Sequence, residues 1–150
     1  MSTNFFDINL RQHFYTMEVL KDSLVRCNLL KLNDEELVIL SELLELSEKS
    51  IEGKCWEMMK RFDLKVLILT CGKQGSYVFS GDTRSFLDTP HVKVVDTVGA
   101  GDSFTAAFCA AILKGKSMVE AHRLAVEVSA FVCGQAGAMP RLPEKLKGIL

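Results

Sequence analysis

Asp96-Thr97-Val98-Gly99-Ala100-Gly101-Asp102-Ser103-Phe104 lies between a short β-rich run, residues 92–95, and a long apolar helical pattern over about residues 100–114. Strand, glycine turn and helix follow one another with no room for a long loop. Gly99 and Gly101 permit unusual φ and close backbone approach, and the first N–H groups of the helix lack intrahelical acceptors and sit at its positive end. The stretch reads as an anion site. Asp102 is the unexpected residue, because a carboxylate in a pocket for anions repels the ligand unless it has chemical work. Accepting the proton of an attacking hydroxyl is such work. A plainer reading uses the same residues: a first-turn Asp favours the helix macrodipole, and glycines before a helix form a tight turn.

Outward from this stretch the chain alternates strands and helices, the pattern of a layered α/β fold. Residues 4–9 read as a strand end. Residues 13–26 have helical spacing through Phe14, Met17, Leu20 and Leu24, and residues 28–32 read as a short buried strand. Asn33, with Glu36 three residues on, has the form of a capping box before a helix whose apolar face is Leu37, Leu40, Leu43 and Leu44. A further helix is expected over residues 51–62. Lys65-Val66-Leu67-Ile68-Leu69-Thr70 is the apolar run of a parallel strand covered on both faces. Gly72 and Gly75 bracket the turn after it. Residues 76–80 and 84–87, joined through Gly81-Asp82, read as a hairpin. The last long helix spans about residues 117–134, with Met118, Ala121, Leu124, Ala125, Val128 and Val132 on one face, and a weak helix is expected over 143–149.

The chain has 150 residues, 18 Lys plus Arg against 19 Asp plus Glu, and 48% hydrophobic residues. Such a balance fits one packed globular unit and excludes disordered or collagen-like classes. A near-neutral charge with scattered Lys and Arg argues against a nucleic-acid partner, and no apolar run reaches the ~20 residues of a membrane helix. Cysteines at 27, 55, 71, 109 and 133 form no C-x-x-C pair, so neither a zinc site nor a disulfide framework is expected. With no cationic-then-apolar leader after Met1, a reducing cytoplasmic setting is expected.

The string Asp96 to Phe104, D-T-x-G-A-G-D-S-F, resembles the C-terminal signature of the ribokinase-like (PfkB) carbohydrate kinases. Three further segments agree in order. Asn33-Asp34-Glu35-Glu36 resembles the family's N-x-x-E motif, Thr70-Cys71-Gly72 its T-x-G turn, and Asp7-Ile8-Asn9-Leu10-Arg11 the D-x-N-x-R segment of fructokinase-like and 2-keto-3-deoxygluconate-kinase-like members. The resemblance implies a three-layer α/β/α fold with a mostly parallel sheet. It covers the family's C-terminal, ATP-binding half. The sugar-binding N-terminal half and the β-stranded lid have no counterpart, so pairing with that half, or self-association through the sheet edge at Phe5, is expected.

By the same resemblance the chain is expected to serve ATP-dependent, Mg²⁺-assisted phosphorylation of a sugar hydroxyl. Asp102 is the base implied, and the backbone of Val98, Gly99, Ala100 and Gly101 the anion hole. Asn33 and Glu36 order the magnesium and phosphate environment, a role compatible with the capping box. Thr70, Gly72 and Gly75 line the nucleotide turn, although they also suit an ordinary strand end. Ser129, Cys133 and Gly137 fall where the family lines adenine; Ser129 and Cys133 equally suit helix packing. Arg11 could grip a substrate carboxylate or a phosphate, or lie exposed at a helix start. Some members bind K⁺ near the anion hole, and Asp96 matches the acid's position. A noncatalytic nucleotide-binding module and a nucleoside kinase of the same fold are the alternatives. Gly115-Lys116-Ser117 mimics the end of a phosphate-binding P-loop but reads as a helix end. His13, His91 and His122 are isolated surface or core residues, and Trp56, Met58 and Met59 are core filler.

Overall fold

The computed structural model describes residues 4–8, 16–90 and 100–134. They belong to two compact units, Met1–Phe86 and Leu87–Leu150. The expected strand at 92–95 and helix at 143–149 lie outside the described residues.

In the first unit five strands form one sheet in the order β1-β2-β3-β4-β5. They are β1 (Phe5–Asp7), β2 (Leu29–Asn33), β3 (Val66–Thr70), β4 (Ser76–Ser80) and β5 (Thr83–Leu87). The first three are parallel, and β4 runs antiparallel to β3. Parallel neighbours need crossovers, supplied by helix α1 (Met17–Arg26) and by the pair α2 (Asp34–Leu43) and α3 (Ile51–Arg61).

Local chemistry sets the helix starts. The helix expected from residue 13 begins instead at Met17: Thr16 is extended and its side chain accepts from the Val19 amide, a cap that Phe14-based periodicity could not reveal. The Asn33–Glu36 capping box forms as expected, and Ser50 caps α3. Between α2 and α3 the Glu57 carboxylate accepts from the Ser47 and Glu48 amides and pairs with Arg61 at 2.7 Å. These bonds and the Arg61 pair hold its carboxyl below the usual range.

Side chains alternate across the sheet. Leu30 and Leu32, Leu67 and Leu69, and Phe79 join Leu20 and Leu24 of α1, Leu37 and Leu40 of α2, and Cys55 and Met58 of α3 in one core. Met58 and Met59 are buried there, as core filler should be. Leu43, assigned to the buried face from its spacing, is 42% exposed, because the stripe of α2 runs through Leu37, Leu40 and Leu44. On the opposite sheet face Leu29, Ile68 and Val78 are also buried, as a layer covered on both sides requires. Burial pushes the Cys55 thiol up to about 12 and Cys27 to about 11, which leaves both unreactive at neutral pH.

The second unit contains α4 (Ala100–Leu113) and α5 (Met118–Cys133). Ser117 and Glu120 form a capping box at α5, and the Gly115 and Lys116 amides close α4 onto Ile112 and Ala111. Gly115-Lys116-Ser117 is therefore a helix end followed by a cap. Phe104, Ala107, Phe108 and Ala111 of α4 and Ala121, Ala125, Val128 and Val132 of α5 are buried. Leu124 and Met118 of the expected stripe are only half-buried. Among the described residues no helix is long and apolar enough to cross a membrane.

His122 is fully buried, with its ring 6.1 Å from that of Phe104. Loss of water lowers its pKa to about 4. The unfolded chain binds this proton below about pH 6.5 while the folded chain stays neutral down to about pH 4. Stability is therefore expected to fall as pH drops through that window, by on the order of 3 kcal/mol, and to level off below it. Urea denaturation from pH 7 to 4 should show the loss, and His122→Leu should flatten it; an unchanged slope in the variant would contradict this assignment.

Candidate functional site

Parallel α/β sheets place ligands beyond the carboxyl ends of their strands. Here β1, β2 and β3 end at Asp7, Asn33 and Thr70, with Asn33 in register with Thr70 and Asp7 with Lys31. Alternation puts Asp7, Lys31, Asn33, Thr70 and Ser76 on the face opposite the α1–α3 core. That face is apolar at its lower end, where Leu29, Val66, Ile68 and Val78 lie, and polar at its carboxyl rim.

Asn33 accepts from the Glu36 amide at 2.8 Å, and the Glu36 carboxylate accepts from the Asn33 amide at 2.9 Å. Glu36 is 7% exposed, so the box fixes a nearly buried carboxylate at the rim. Asn33→Ala is expected to cost about 0.5–2 kcal/mol in urea denaturation through loss of the cap.

Thr70 pairs with Ser76 across the antiparallel ladder, and the turn between them is short. The Cys71 amide donates to the Gly75 carbonyl at 2.8 Å, and Gln74 donates back to Cys71 at 3.1 Å. Gly75 has φ 131° and ψ −162°, a region essentially reserved for glycine. Gly72 has φ 56°, and a Cβ there would meet nothing within 4 Å, so its backbone faces open space. Burial, and the nearby Asp34 carboxylate of α2, push the Cys71 thiol up.

In the second unit Ala100, Gly101 and Asp102 form the first turn of α4. Asp102 is exposed, and Thr105 returns a hydrogen bond to the Gly101 carbonyl at 3.2 Å. Ser129 and Cys133 lie one turn apart on α5, both half-buried. Asn33, Glu36, Thr70, Gly72 and Gly75 thus gather at one rim of the first unit, while Asp102 opens α4 in the second. Arg11, Asp96, Val98, Gly99 and Gly137 lie outside the described residues. Reading the sequence motif by motif missed Lys31 and Ser76, although alternation back from Asn33 and from Thr70 would have placed both on the polar face.

A partly parallel sheet with a polar carboxyl rim, followed in the chain by helices α4 and α5, defines a layered α/β protein. The chain belongs to the pfkB family of carbohydrate kinases, whose family model matches residues 1–145. It is 30% identical over 131 residues to "Probable fructokinase-3" of Arabidopsis thaliana, covering 83% of this chain and 36% of that protein. The nucleoside kinase of Methanocaldococcus jannaschii, an archaeal member of the ribokinase family, superposes with a TM-score of 0.78 at 28% identity, over 97% of this chain and 46% of that one. A candidate ribokinase II from E. coli, solved with ATP and Mg²⁺, superposes with a TM-score of 0.71 at 23% identity, over 81% and 38%. The chain therefore spans less than half the length of each of these relatives. Their ribokinase fold and the mixed, mostly parallel sheet establish the three-layer α/β/α class.

Proposed function

We propose that this chain supplies the nucleotide-phosphate site and the catalytic base for ATP-dependent phosphorylation of a sugar hydroxyl, the remaining sugar-binding half coming from further polypeptide. The observation that carries this reading is Asp102, an exposed acid in the first turn of α4, directly after Gly99-Ala100-Gly101 in the sequence. Membership in the family supports it. A fructokinase among the relatives favours a sugar over a nucleoside.

In this reading the Asp102 carboxylate accepts the proton of the sugar hydroxyl as its oxygen attacks the γ-phosphorus of ATP. The new O–P bond forms while the bond to the β–γ bridging oxygen breaks, and ADP leaves. Since the transferred group carries its charge through a loose transition state, the protein's task is positioning and charge compensation. Backbone amides of Val98, Gly99, Ala100 and Gly101 donate to the phosphoryl oxygens at the positive end of α4. Thr70, Gly72 and Gly75 shape the turn beside the nucleotide, and the open space over Gly72 suits close approach of a ligand to backbone. Ser129, Cys133 and Gly137 border the base, and Arg11 meets an anionic group of the substrate.

Asn33 and Glu36 offer oxygen donors of the kind magnesium takes at the rim and would hold it through its water shell, where it would neutralise phosphate charge. Glu36→Gln separates this role from capping, because Gln also serves at the third position of a capping box. The variant is expected to melt within about 2 °C of wild type, a shift of no more than about 1 kcal/mol for a chain of this size. Its Mg²⁺-dependent nucleotide affinity should nevertheless fall several-fold. Equal affinity would restrict Glu36 to the cap. Asp96 is assigned to a K⁺ site, tested by comparing nucleotide affinity in KCl and in a tetramethylammonium salt.

The function itself is tested by calorimetric titration with MgADP and by ADP release with a panel of hexoses, sugar acids and nucleosides. Nucleotide binding with sugar-dependent ADP release is expected once the sugar-binding half is supplied. Binding without release on any substrate, even then, would favour a noncatalytic module, and absence of nucleotide binding would overturn the reading.

A further inference from the structure

Lys31 is the least expected residue of the polar rim. It occupies the middle of the central parallel strands, in register with Asp7 on one side and Ile68 on the other, and is only 8% exposed. Lysine is almost never buried to that degree without a partner, because its ammonium loses its hydration. Among the described residues its one polar partner is Asp7, with Nζ 3.8 Å from Oδ2. That separation is an ion pair but is too long for a hydrogen bond. Asp7 also keeps about a third of its side chain in solvent, at 35% exposure, so the pair recovers only part of the cost of desolvating the lysine. A leucine or isoleucine, like Leu29 and Ile68 on the same face, would pack there without that cost. The charge stands two residues before Asn33, on the same sheet face as Asn33 and Thr70.

We propose that the Lys31 ammonium is a ligand-binding cation that hydrogen-bonds an anionic oxygen of a bound reactant, and that Asp7 is a positioning residue that aims it and competes with the ligand for it. The inference rests on the kinase reading and deepens it. The oxygen could belong to the nucleotide phosphates or to the carboxylate of a sugar acid. Both offer the same acceptor, and the experiment tells them apart. Asp7 opens the segment that leads to Arg11, and Lys31 precedes Asn33 and Glu36, so the pair also links the two motif-bearing strands directly.

The test titrates wild type, Lys31→Met, Lys31→Arg and Asp7→Asn with MgADP and, separately, with gluconate as a sugar acid, while thermal melting reports folding. Lys31→Met, which keeps the length and removes the charge, should weaken one of the two ligands by about tenfold or more, the scale of a lost charge-assisted hydrogen bond. Lys31→Arg should recover part of that loss. Asp7→Asn should bind the same ligand as tightly as wild type or more tightly, since the competing carboxylate is gone. A purely structural ion pair would behave differently: both partners' variants would melt earlier by similar amounts and change neither affinity beyond about twofold, an outcome that overturns the proposal. If Lys31→Met does not fold, the sign of the Asp7→Asn effect decides, and weaker binding in that variant overturns it. Wild-type binding of MgADP with no effect of any substitution leaves the kinase reading intact and removes only this inference. Failure of wild type to bind either ligand removes both.

Discussion

Asp102→Asn, in a preparation competent for turnover, is expected to lower kcat by about 10²- to 10⁴-fold while leaving MgATP affinity within about twofold. The size of the rate loss follows from removing the proton acceptor while keeping the shape of the side chain. The small effect on binding follows because the phosphate donors assigned here are backbone amides. Two readings of Asp102 compete. If the acid only complements the α4 macrodipole, its loss costs about 0.3–1 kcal/mol of stability and nothing specific in rate. Asp102 is exposed in that first turn, so either role is sterically open, but the magnitudes differ by orders. Measuring kcat, KM for MgATP and melting temperature on the same pair of proteins separates them. A variant that turns over normally would leave the carboxylate as a helix-start charge.

Phe79→Ala should be the most damaging single substitution in the sheet unit, costing about 3–5 kcal/mol. Phe79 is fully buried, lies in register with Leu67 of β3, meets the Trp56 ring edge-on at 5.0 Å and stacks on Tyr77 at 5.8 Å. The void left would lie between β4 and α3, where the surrounding aromatic rings cannot collapse without breaking their mutual geometry. Because β4 is what closes the Thr70–Ser76 turn, the loss should also reach the rim: residual nucleotide binding is expected to weaken in step with stability. Urea denaturation followed by Trp56 fluorescence reads both the midpoint and the packing around the indole. A cost below about 1 kcal/mol would mean that the core described around Phe79 is not the one the folded chain uses.

Much of this architecture is written in short-range chemistry. The Asn33–Glu36 box, the apolar run 65–70 and the Gly81-Asp82 hairpin turn each determine a local geometry by themselves, so the sequence alone places β2, α2, β3 and the β4–β5 pair to within a residue or so. Errors arise where periodicity and capping disagree. Residues 13–16 share the apolar spacing of α1, yet Thr16 caps the helix, and a side chain that accepts the Val19 amide outweighs one more apolar contact. Leu43 and Leu44 are adjacent and equally apolar, and only the packing of α2 on the sheet decides that Leu44 goes inward. His122 was legible as isolated but not as buried, because the packing that sets its ring beside Phe104 of α4 is a long-range property.

The site divides in the same way. Motif residues announce themselves through glycine and carboxylate spacing, as Gly72, Gly75 and Asp102 do. Lys31 carries no motif, and its surroundings appear only when strand register sets it beside Asp7 and Ile68, between the apolar and the polar part of that face. Register is a long-range property, fixed by which strands pair, and residues 7 and 31 are joined only through that pairing.

The central claim is that the opening amides of α4 hold the phosphates of the nucleotide. A ¹H–¹⁵N titration of the labelled chain with MgADP, repeated with inorganic tripolyphosphate, addresses it directly. The largest amide shifts are expected at residues 98–101 with both ligands, accompanied by smaller ones at Gly72 and Asn33. Saturable binding that leaves the amides of 98–101 unmoved while shifting residues elsewhere would contradict the account.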